Sequence, residues 1–481
     1  MSVTIGQQLP PSWVRAELSA IAQINPPLDR CILSDNVLVD FIPMRAVEPE
    51  GGGILRPEAS TYGEVKKGYT AFLAGDVIMA KITPCMENGK TCVVPELPGA
   101  ACFGSTEFHV VRTEGNIAAR WISNFLLQHS TRHAALRQMM GGVGQMRVPS
   151  VFLESLIIPI PPDPEQQRIL DALDELLSDL DAGVAALERV QAKLKHYRAA
   201  VLKAAVEGTL VPSQQPYPVR KIGEAIESLG QGWSPKCESE PSADRDTWAV
   251  IKTTAIQPLR YLEEHNKLLP AALKPRPHLE LKEGDLLITR AGPRSRVGIA
   301  CLVKRTRPRL MLCDKAYRLR CRKNTLSPAF LEVVLNAPNV VSALDKLKTG
   351  INDSGLNLTQ GRFSELLVPF PQPCEQQAIV EAVEDQLSVI EHLEADLDAK
   401  LKSAQSLRQS ILRRAFTGQL VPQDPNDEPA SELIKRISAE RREWARQATA
   451  AKEAYKEAKP TNAKLKTLRR RDAAKNLERL S

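Results

Sequence analysis

Pro159-Ile160-Pro161-Pro162-Asp163-Pro164-Glu165-Gln166-Gln167 returns 210 residues later as Pro369-Phe370-Pro371-Gln372-Pro373-Cys374-Glu375-Gln376-Gln377. About forty residues beyond each copy, Gly208-Thr209-Leu210-Val211-Pro212 returns as Gly418-Gln419-Leu420-Val421-Pro422 at the same offset. A period this long is not that of a solenoid, whose units run to roughly 20–50 residues. It points to duplication of a whole unit, a variable domain followed by a helix.

Between the proline-rich entry and the glycine exit, apolar residues recur every seventh position. Leu173, Leu180, Leu187, Leu194 and Val201 form the first seam, and Leu176, Leu177, Val184, Val190 and Tyr197 fill much of a second stripe. The second copy gives Val383, Ile390, Leu397, Ala404 and Ile411, with Leu387, Leu393, Leu401 and Leu407 beside them. Five heptads argue for a coiled-coil seam, and forty helical residues reach roughly 60 Å. The prolines cannot extend a helix interior, Glu165 suits the positive end of the dipole, and Gly208 and Gly418 are placed as stops. A helix with one apolar seam needs a partner. The economical partner is the other copy, and the domain of some 155 residues between them permits an antiparallel pair.

Those intervening regions match faintly. Leu73-Ala74-Gly75-Asp76-Val77-Ile78-Met79-Ala80-Lys81 resembles Lys282-Glu283-Gly284-Asp285-Leu286-Leu287-Ile288-Thr289-Arg290, each a Gly-Asp turn feeding a buried strand. Glycine-rich loops follow at Gly141-Gly142-Val143-Gly144 and Gly350–Gly355, ahead of Leu153/Leu156 and Phe363/Leu366. Each region is expected to be an α+β domain with a helix near residues 117–140 or 327–348. The resulting division is 1–160 and 215–370 as variable domains, 165–212 and 375–422 as helices, and 423–481 as a linker and basic helical tail. In that tail Ser431 is the expected N-cap of a helix over 432–457, which Pro460 ends, with Arg469-Arg470-Arg471 beyond.

The 481 residues are 43% hydrophobic and 25% charged, ordinary for a globular protein of two to four domains. No apolar run approaches a spanning length, and residues 1–6 lack the pattern of a signal peptide, so a cytoplasmic protein is expected. Nine cysteines stand singly without a CxxC pair, which points to reduced thiols rather than zinc or disulfides.

The net charge of +7 is unevenly spread. Residues 1–164 carry 13 basic and 15 acidic side chains (−2), whereas 215–374 carry 25 and 16 (+9) and 435–481 carry 15 and 6 (+9). The densest stretch is Arg290, Arg294, Arg296, Lys304, Arg305, Arg307, Arg309, Lys315, Arg318, Arg320, Arg322 and Lys323, opposed in sequence by Asp314 alone. Such a field suits phosphates, and arginine can read guanine edges. Solubility charge accounts for the tail about equally well.

Enzyme motifs fail on inspection. Asn25-Pro26-Pro27-Leu28 is similar to the Asn-Pro-Pro-aromatic motif of adenine-N6 methyltransferases, but Leu28 replaces the stacking aromatic and no glycine-rich methyl-donor loop accompanies it. Gly89-Lys90-Thr91 ends like a phosphate-binding loop, but Pro84 stands where its first glycine belongs. His129 and His133 lack the intervening Glu of a zinc protease. The chain reads as one that binds rather than catalyses.

The doubled Pro-x-Pro, Glu-Gln-Gln and heptad pattern, closing on Arg413-Arg414-Ala415-Phe416-Thr417-Gly418-Gln419-Leu420, resembles the specificity subunit of type I restriction-modification enzymes over residues 10 to about 440. Asp427-Glu428-Pro429-Ala430-Ser431-Glu432-Leu433-Ile434 also resembles the segment that follows the second helix there. The resemblance implies an α+β fold of two target-recognition domains separated by two long antiparallel coiled-coil helices with pseudo-twofold symmetry. Each domain would read half of a bipartite duplex DNA site, and the helices would set the spacer. Partners would be two modification (methyltransferase) subunits and restriction (translocase/nuclease) subunits in phage defence. S-adenosylmethionine, ATP and Mg would sit on those partners, with no cofactor, metal or catalytic residue on this chain.

Expected DNA-contacting positions are the loops after the Gly-Asp strands (Lys81, Thr83, Asn88, Lys90; Arg290, Arg294, Ser295, Arg296) and the glycine-rich loops (Gln145, Arg147; Asn352, Asn357). Expected subunit-docking positions are Glu165, Gln166, Gln167, Glu375, Gln376 and Gln377. The alternative is a coiled-coil scaffold carrying two protein-binding domains.

Overall fold

The computed structural model describes residues 8–27, 33–99, 101–142, 144–213, 215–238, 240–242 and 244–458. Leu28, Val143, Pro460 and Arg469–Arg471 lie outside them. The chain divides into two compact units: residues up to Gly183 together with those from Lys402, and Val184–Leu401. The division cuts both long helices in mid-length rather than falling at the domain ends expected from the sequence.

Among the described residues the first unit holds ten strands: β1 (Val14–Glu17), β2 (Ala22–Ile24), β3 (Leu38–Ile42), β4 (Glu58–Thr61), β5 (Thr70–Phe72), β6 (Val77–Ala80), β7 (Thr91–Val93), β8 (Cys102–Gly104), β9 (Phe108–Thr113) and β10 (Ile157–Ile160). They form one sheet in the order β2-β9-β6-β7, another in the order β4-β3-β8-β5, and the pair β1-β10. Within these sheets β3 and β8 run parallel and the other pairs are antiparallel.

The second unit repeats this plan with β11 (Val219–Lys221), β12 (Ile226–Gln231), β13 (Ala249–Ile251), β14 (Ile256–Gln257), β15 (Arg260–Tyr261), β16 (Asn266–Leu268), β17 (Leu286–Thr289), β18 (Ala291–Gly292), β19 (Ala300–Leu302), β20 (Leu310–Met311), β21 (Ala316–Cys321), β22 (Leu356–Asn357) and β23 (Leu367–Pro369). Its sheets run β12-β21-β17-β19 and β16-β13-β20, again with a parallel pair, β13 with β20, and with β11 on β23. Topology is kept although the sequences match only faintly.

Both Gly-Asp turns form as expected. Gly75 and Gly284 have φ of 84° and 87°, reached readily by glycine. Asp76 accepts the Leu73 N–H at 2.7 Å and Asp285 the Lys282 N–H at 2.9 Å. The buried Asp76 is also gripped at 2.7 Å by Nε and Nη2 of Arg112. The helix expected over 117–140 is two, Ala119–Leu126 and His129–Arg137, and that over 327–348 is likewise two, Pro328–Asn336 and Pro338–Leu347. In the second copy the break follows from Pro338, which lacks an N–H and holds Ala337 extended. In the first, Gln128 takes the same extended conformation.

The first long helix spans Asp163–Glu207 and the second Pro373–Ala415. Both start two residues earlier than expected, since proline is tolerated in a first turn. Both end before the Val-Pro pairs: Gly208 and Gly418 turn the chain with φ of 77° and 70°. In the second unit Gln191 bonds Asp398 at 3.2 Å and Tyr197 bonds Gln386 at 2.8 Å, so the helices run antiparallel there. In the first unit Asp181 pairs with Arg408, and Ile169, Leu170 and Leu173 share a core with Ile411 and Leu412. The heptad seam is where burial concentrates: Leu173, Leu194, Val201, Val383, Ile390, Leu397 and Ile411 are buried. The second stripe is not a seam throughout, because Leu176, Val190, Tyr197, Leu393 and Leu407 are exposed. A helix with one partner covers one side.

Aromatic packing closes the first core. Trp121 lies between Trp13 and Phe416, with ring centroids 5.8 and 4.4 Å away. The tail helix runs Ala430–Ala458, so Ser431 falls inside it rather than capping it. Its first turns are part of the fold: Leu433 and Ile437 are buried, and Arg441 pairs with Glu114 and donates to the Ala22 carbonyl at 2.9 Å.

Candidate nucleic-acid interface

In each unit the chain leaving the Gly-Asp strand is zipped to the chain leaving the glycine-rich loop. Thr83 N–H donates to the Met146 carbonyl at 3.1 Å and Val148 N–H to that of Lys81 at 2.8 Å. In the second unit Leu358 N–H donates to Arg290 at 2.7 Å and Arg294 N–H to Asp353 at 2.8 Å, while Ala291 pairs with Asn357. The two loops expected to contact DNA are therefore one surface in each unit. That neighbourhood comes from tertiary pairing across some 65 residues and had no local signal.

The side chains differ in what they leave available. In the first unit Asn88 and Gln145 are exposed, and Lys81 is half-buried. Lys90 spends its ammonium on the Met44 carbonyl at 2.9 Å. Arg147 binds both oxygens of Glu107, at 2.7 and 2.9 Å, which holds that carboxyl below its usual range. The Thr83 hydroxyl is buried without a partner. In the second unit Ser295, Asn352 and Asn357 are exposed, and Arg294 is shared between Asp345 (2.8 Å) and Asp353 (3.0 Å). Arg296 is not a free reader: its guanidinium donates to Thr253 O at 2.6 Å, Ile256 O at 2.8 Å and Gln257 Oε1 at 3.1 Å.

Much of the arginine-rich run is likewise engaged within the fold, by carbonyls that leave its charge in place and by a few acids that oppose it. Arg307 is buried and bonds the Thr247, Pro308 and Ser242 carbonyls; Arg318 bonds those of Glu280 and His278. Lys304 pairs with Glu384, and Arg309 with Asp246. Asp314 is the opposing acid in sequence, but folding brings several more. Elsewhere, Asn25 serves its own turn at φ 49°, accepting the Val110 N–H at 3.0 Å. His129 and His133 are exposed, and among the described residues no cluster of potential metal ligands occurs. Nor is any described helix long and apolar enough to cross a membrane.

The Glu-Gln-Gln motifs, expected to dock partner subunits, have a role within the fold as well. Gln166 Oε1 accepts the Ala118 N–H at 2.7 Å, and Gln376 Oε1 accepts the Ser327 N–H at 2.7 Å. Both donors occupy the N-cap position of a helix in their own unit. Glu165 accepts from Trp13 Nε1 at 3.0 Å and from Gln423 at 2.5 Å, and burial pushes its carboxyl above the usual range. Glu375 accepts from Ser213 at 2.8 Å, the counterpart contact displaced by 210 residues. Of the six, the exposed Gln167 and Gln377 bond only along their own helix, to Asp171 and Glu381.

Two domains of one topology, each fastened to a long helix by the same motif and carrying a polar loop surface, define a doubled recognition module. Residues 55–189 match the family model of the type I restriction modification DNA specificity domain. The chain is 31% identical to the EcoEI specificity subunit of Escherichia coli over 83% of its own length and 81% of that protein. It is 32% identical to the Escherichia coli EcoAI specificity subunit over 57% of its length and 44% of that protein. A structure solved for complex assembly and conformational transition of the type I R-M system superposes with a TM-score of 0.66 at 18% identity, covering 86% of this chain and all of that one. The chain belongs to the family of type I restriction enzyme specificity subunits, the non-catalytic, target-recognising components of those complexes. That membership supports DNA recognition over the scaffold alternative.

Proposed function

We propose that each recognition domain reads one half of a bipartite duplex DNA site and that the two long helices, paired antiparallel with pseudo-twofold symmetry, set the spacer between the halves. The observation that carries this reading is the repeated fastening of a helix N-terminus in each domain to Gln166 or Gln376, on a sheet topology kept in both units while the loop chemistry differs. Kept mounting with altered faces suits two readers of different sequences. Exposed Asn88, Gln145, Ser295, Asn352 and Asn357 are suited to base edges, whereas paired cations position the loops.

In this reading two modification subunits dock on the helices and restriction subunits join them. S-adenosylmethionine, ATP and Mg then belong to those partners in a bacterial or archaeal cytoplasm. Purified chain mixed with its modification subunit should bind duplex DNA with steep salt dependence and prefer the sites methylated in the host genome. Equal affinity for random duplexes would rule the specificity reading out.

A further inference from the structure

The second unit has a cleft of about 250 Å³ whose lining includes Ser234, Lys252, Thr253, Lys267, Cys313 and Lys315. Lys252 follows β13, Lys267 lies in the neighbouring β16, and Lys315 precedes β21. Among the described residues none of the three ammonium groups has an intramolecular hydrogen bond or ion pair. The nearest acid in sequence, Asp314, accepts from the Ser234 hydroxyl and forms no ion pair with Lys315 among the described residues. Burial pushes the Cys313 thiol up to about 11, so it adds no negative charge near neutral pH.

The cleft is built by the arginines that sequence reading had placed on DNA. Arg296 holds the Thr253 carbonyl, next to Lys252. Arg290 holds the Asp314 carbonyl at 2.6 Å through Nε, and its own N–H donates to Lys315 O at 2.9 Å. Three cations lining one cleft repel one another, and a surface made for solubility intersperses both signs. Such a cluster is relieved by a ligand with several closely spaced negative charges.

Among the described residues the first unit has no lysine at the counterparts of Lys252 and Lys267. Strand register aligns Lys267, opposite Val250, with Glu58, opposite Phe41. The residue following β3 is Pro43, where Lys252 follows β13. The charge contrast between the domains, −2 against +9, thus has a local structural expression.

We propose that the Lys252, Lys267 and Lys315 cleft grips the sugar-phosphate backbone beside the half-site read by the second domain, an assignment that rests on the DNA-recognition reading. The test uses the full chain assembled with its modification subunits and a duplex carrying a site methylated in the host. Affinity is measured across a salt series for the parent, for K252Q/K267Q/K315Q, and for K274Q/K282Q, which removes two exposed cations of the same unit outside the cleft. The expected result is a slope of log affinity against log salt reduced by about 0.9 for each cleft lysine that meets a phosphate, and unchanged in the second variant. Thermal melting checks that both remain folded. An unchanged slope in the triple variant, or an equal loss per lysine in both variants, overturns the cleft while leaving DNA recognition intact. Absence of salt-dependent binding by the parent would overturn the DNA reading itself and the cleft with it.

Discussion

Gln376 accepts a hydrogen bond at 2.7 Å from the backbone N–H of Ser327, the residue that caps the helix Pro328–Asn336. Its amide nitrogen donates in turn to Thr325 O at 2.9 Å and Pro371 O at 3.0 Å. One buried side chain satisfies three backbone groups and joins the start of a long helix to a recognition domain. Gln166 makes only the first of these bonds, accepting the Ala118 N–H, and its own amide nitrogen is buried without a partner.

Replacing Gln376 with alanine strands those groups, and a buried unsatisfied donor or acceptor costs roughly 1–3 kcal/mol. We expect Gln376→Ala to destabilise the protein by about 2 kcal/mol or more in chemical denaturation. Gln377→Ala, one residue on but exposed, should stay within about 0.5 kcal/mol of the parent. Equal losses would contradict the fastening role.

Gly418 combines φ of 70° with contact to the N-terminal segment, where an added Cβ would fall 2.4 Å from Pro10 Cγ. Gly418→Ala should therefore cost more than the roughly 1–2 kcal/mol of the backbone conformation alone. At Gly208 the corresponding approach, to Tyr217, is 3.2 Å, and the same change should cost less. Paired melting curves would check the order.

His109 is buried, with Nε2 donating to the Val148 carbonyl at 2.8 Å and Nδ1 facing Asn25 at 3.1 Å. Burial lowers its proton affinity. Its folded pKa lies below the unfolded value near 6.5, so its contribution is present above that pH. As pH falls toward the folded pKa, the unfolded chain takes up a proton that the folded one refuses, and stability declines. Melting temperature should drop from about pH 6.5 downward less steeply in His109→Gln than in the parent.

Exchanging residues 215–370 for the corresponding domain of another family member should change one half of the methylated sequence and leave the other half and the spacer intact. Genome-wide methylation mapping reads this directly. Alteration of both halves would refute one domain per half-site.

Arg441 ties the tail helix to the first recognition domain through Glu114 and the Ala22 carbonyl. Arg441→Ala should expose the segment after Pro429 to limited proteolysis at lower protease concentration, with the domain cores still resistant. Unchanged cleavage would show that Leu433 and Ile437 suffice.

The duplicated plan was legible in the chain because it rests on local rules. Heptad spacing marks a seam, prolines mark helix entry, and glycines with positive φ mark exits and Gly-Asp turns. These depend on backbone sterics and residue period, so Leu194, Ile390, Gly208 and Asp76 could be assigned from the residues themselves. The fate of charge could not. Arg296, Arg307 and Arg318 look like a solvent-facing field until strands distant in sequence bring carbonyls to their guanidinium groups, while Asp345 and Asp353 fold onto Arg294. A cation is available to a ligand only when nothing nearer claims it, and what is near is set by packing. The same holds for Gln166 and Gln376: sequence marks them as a repeated pair, and the tertiary fold turns them inward, because an amide beside unpaired backbone groups at a helix N-terminus is more stable bonded to them than left unsatisfied there.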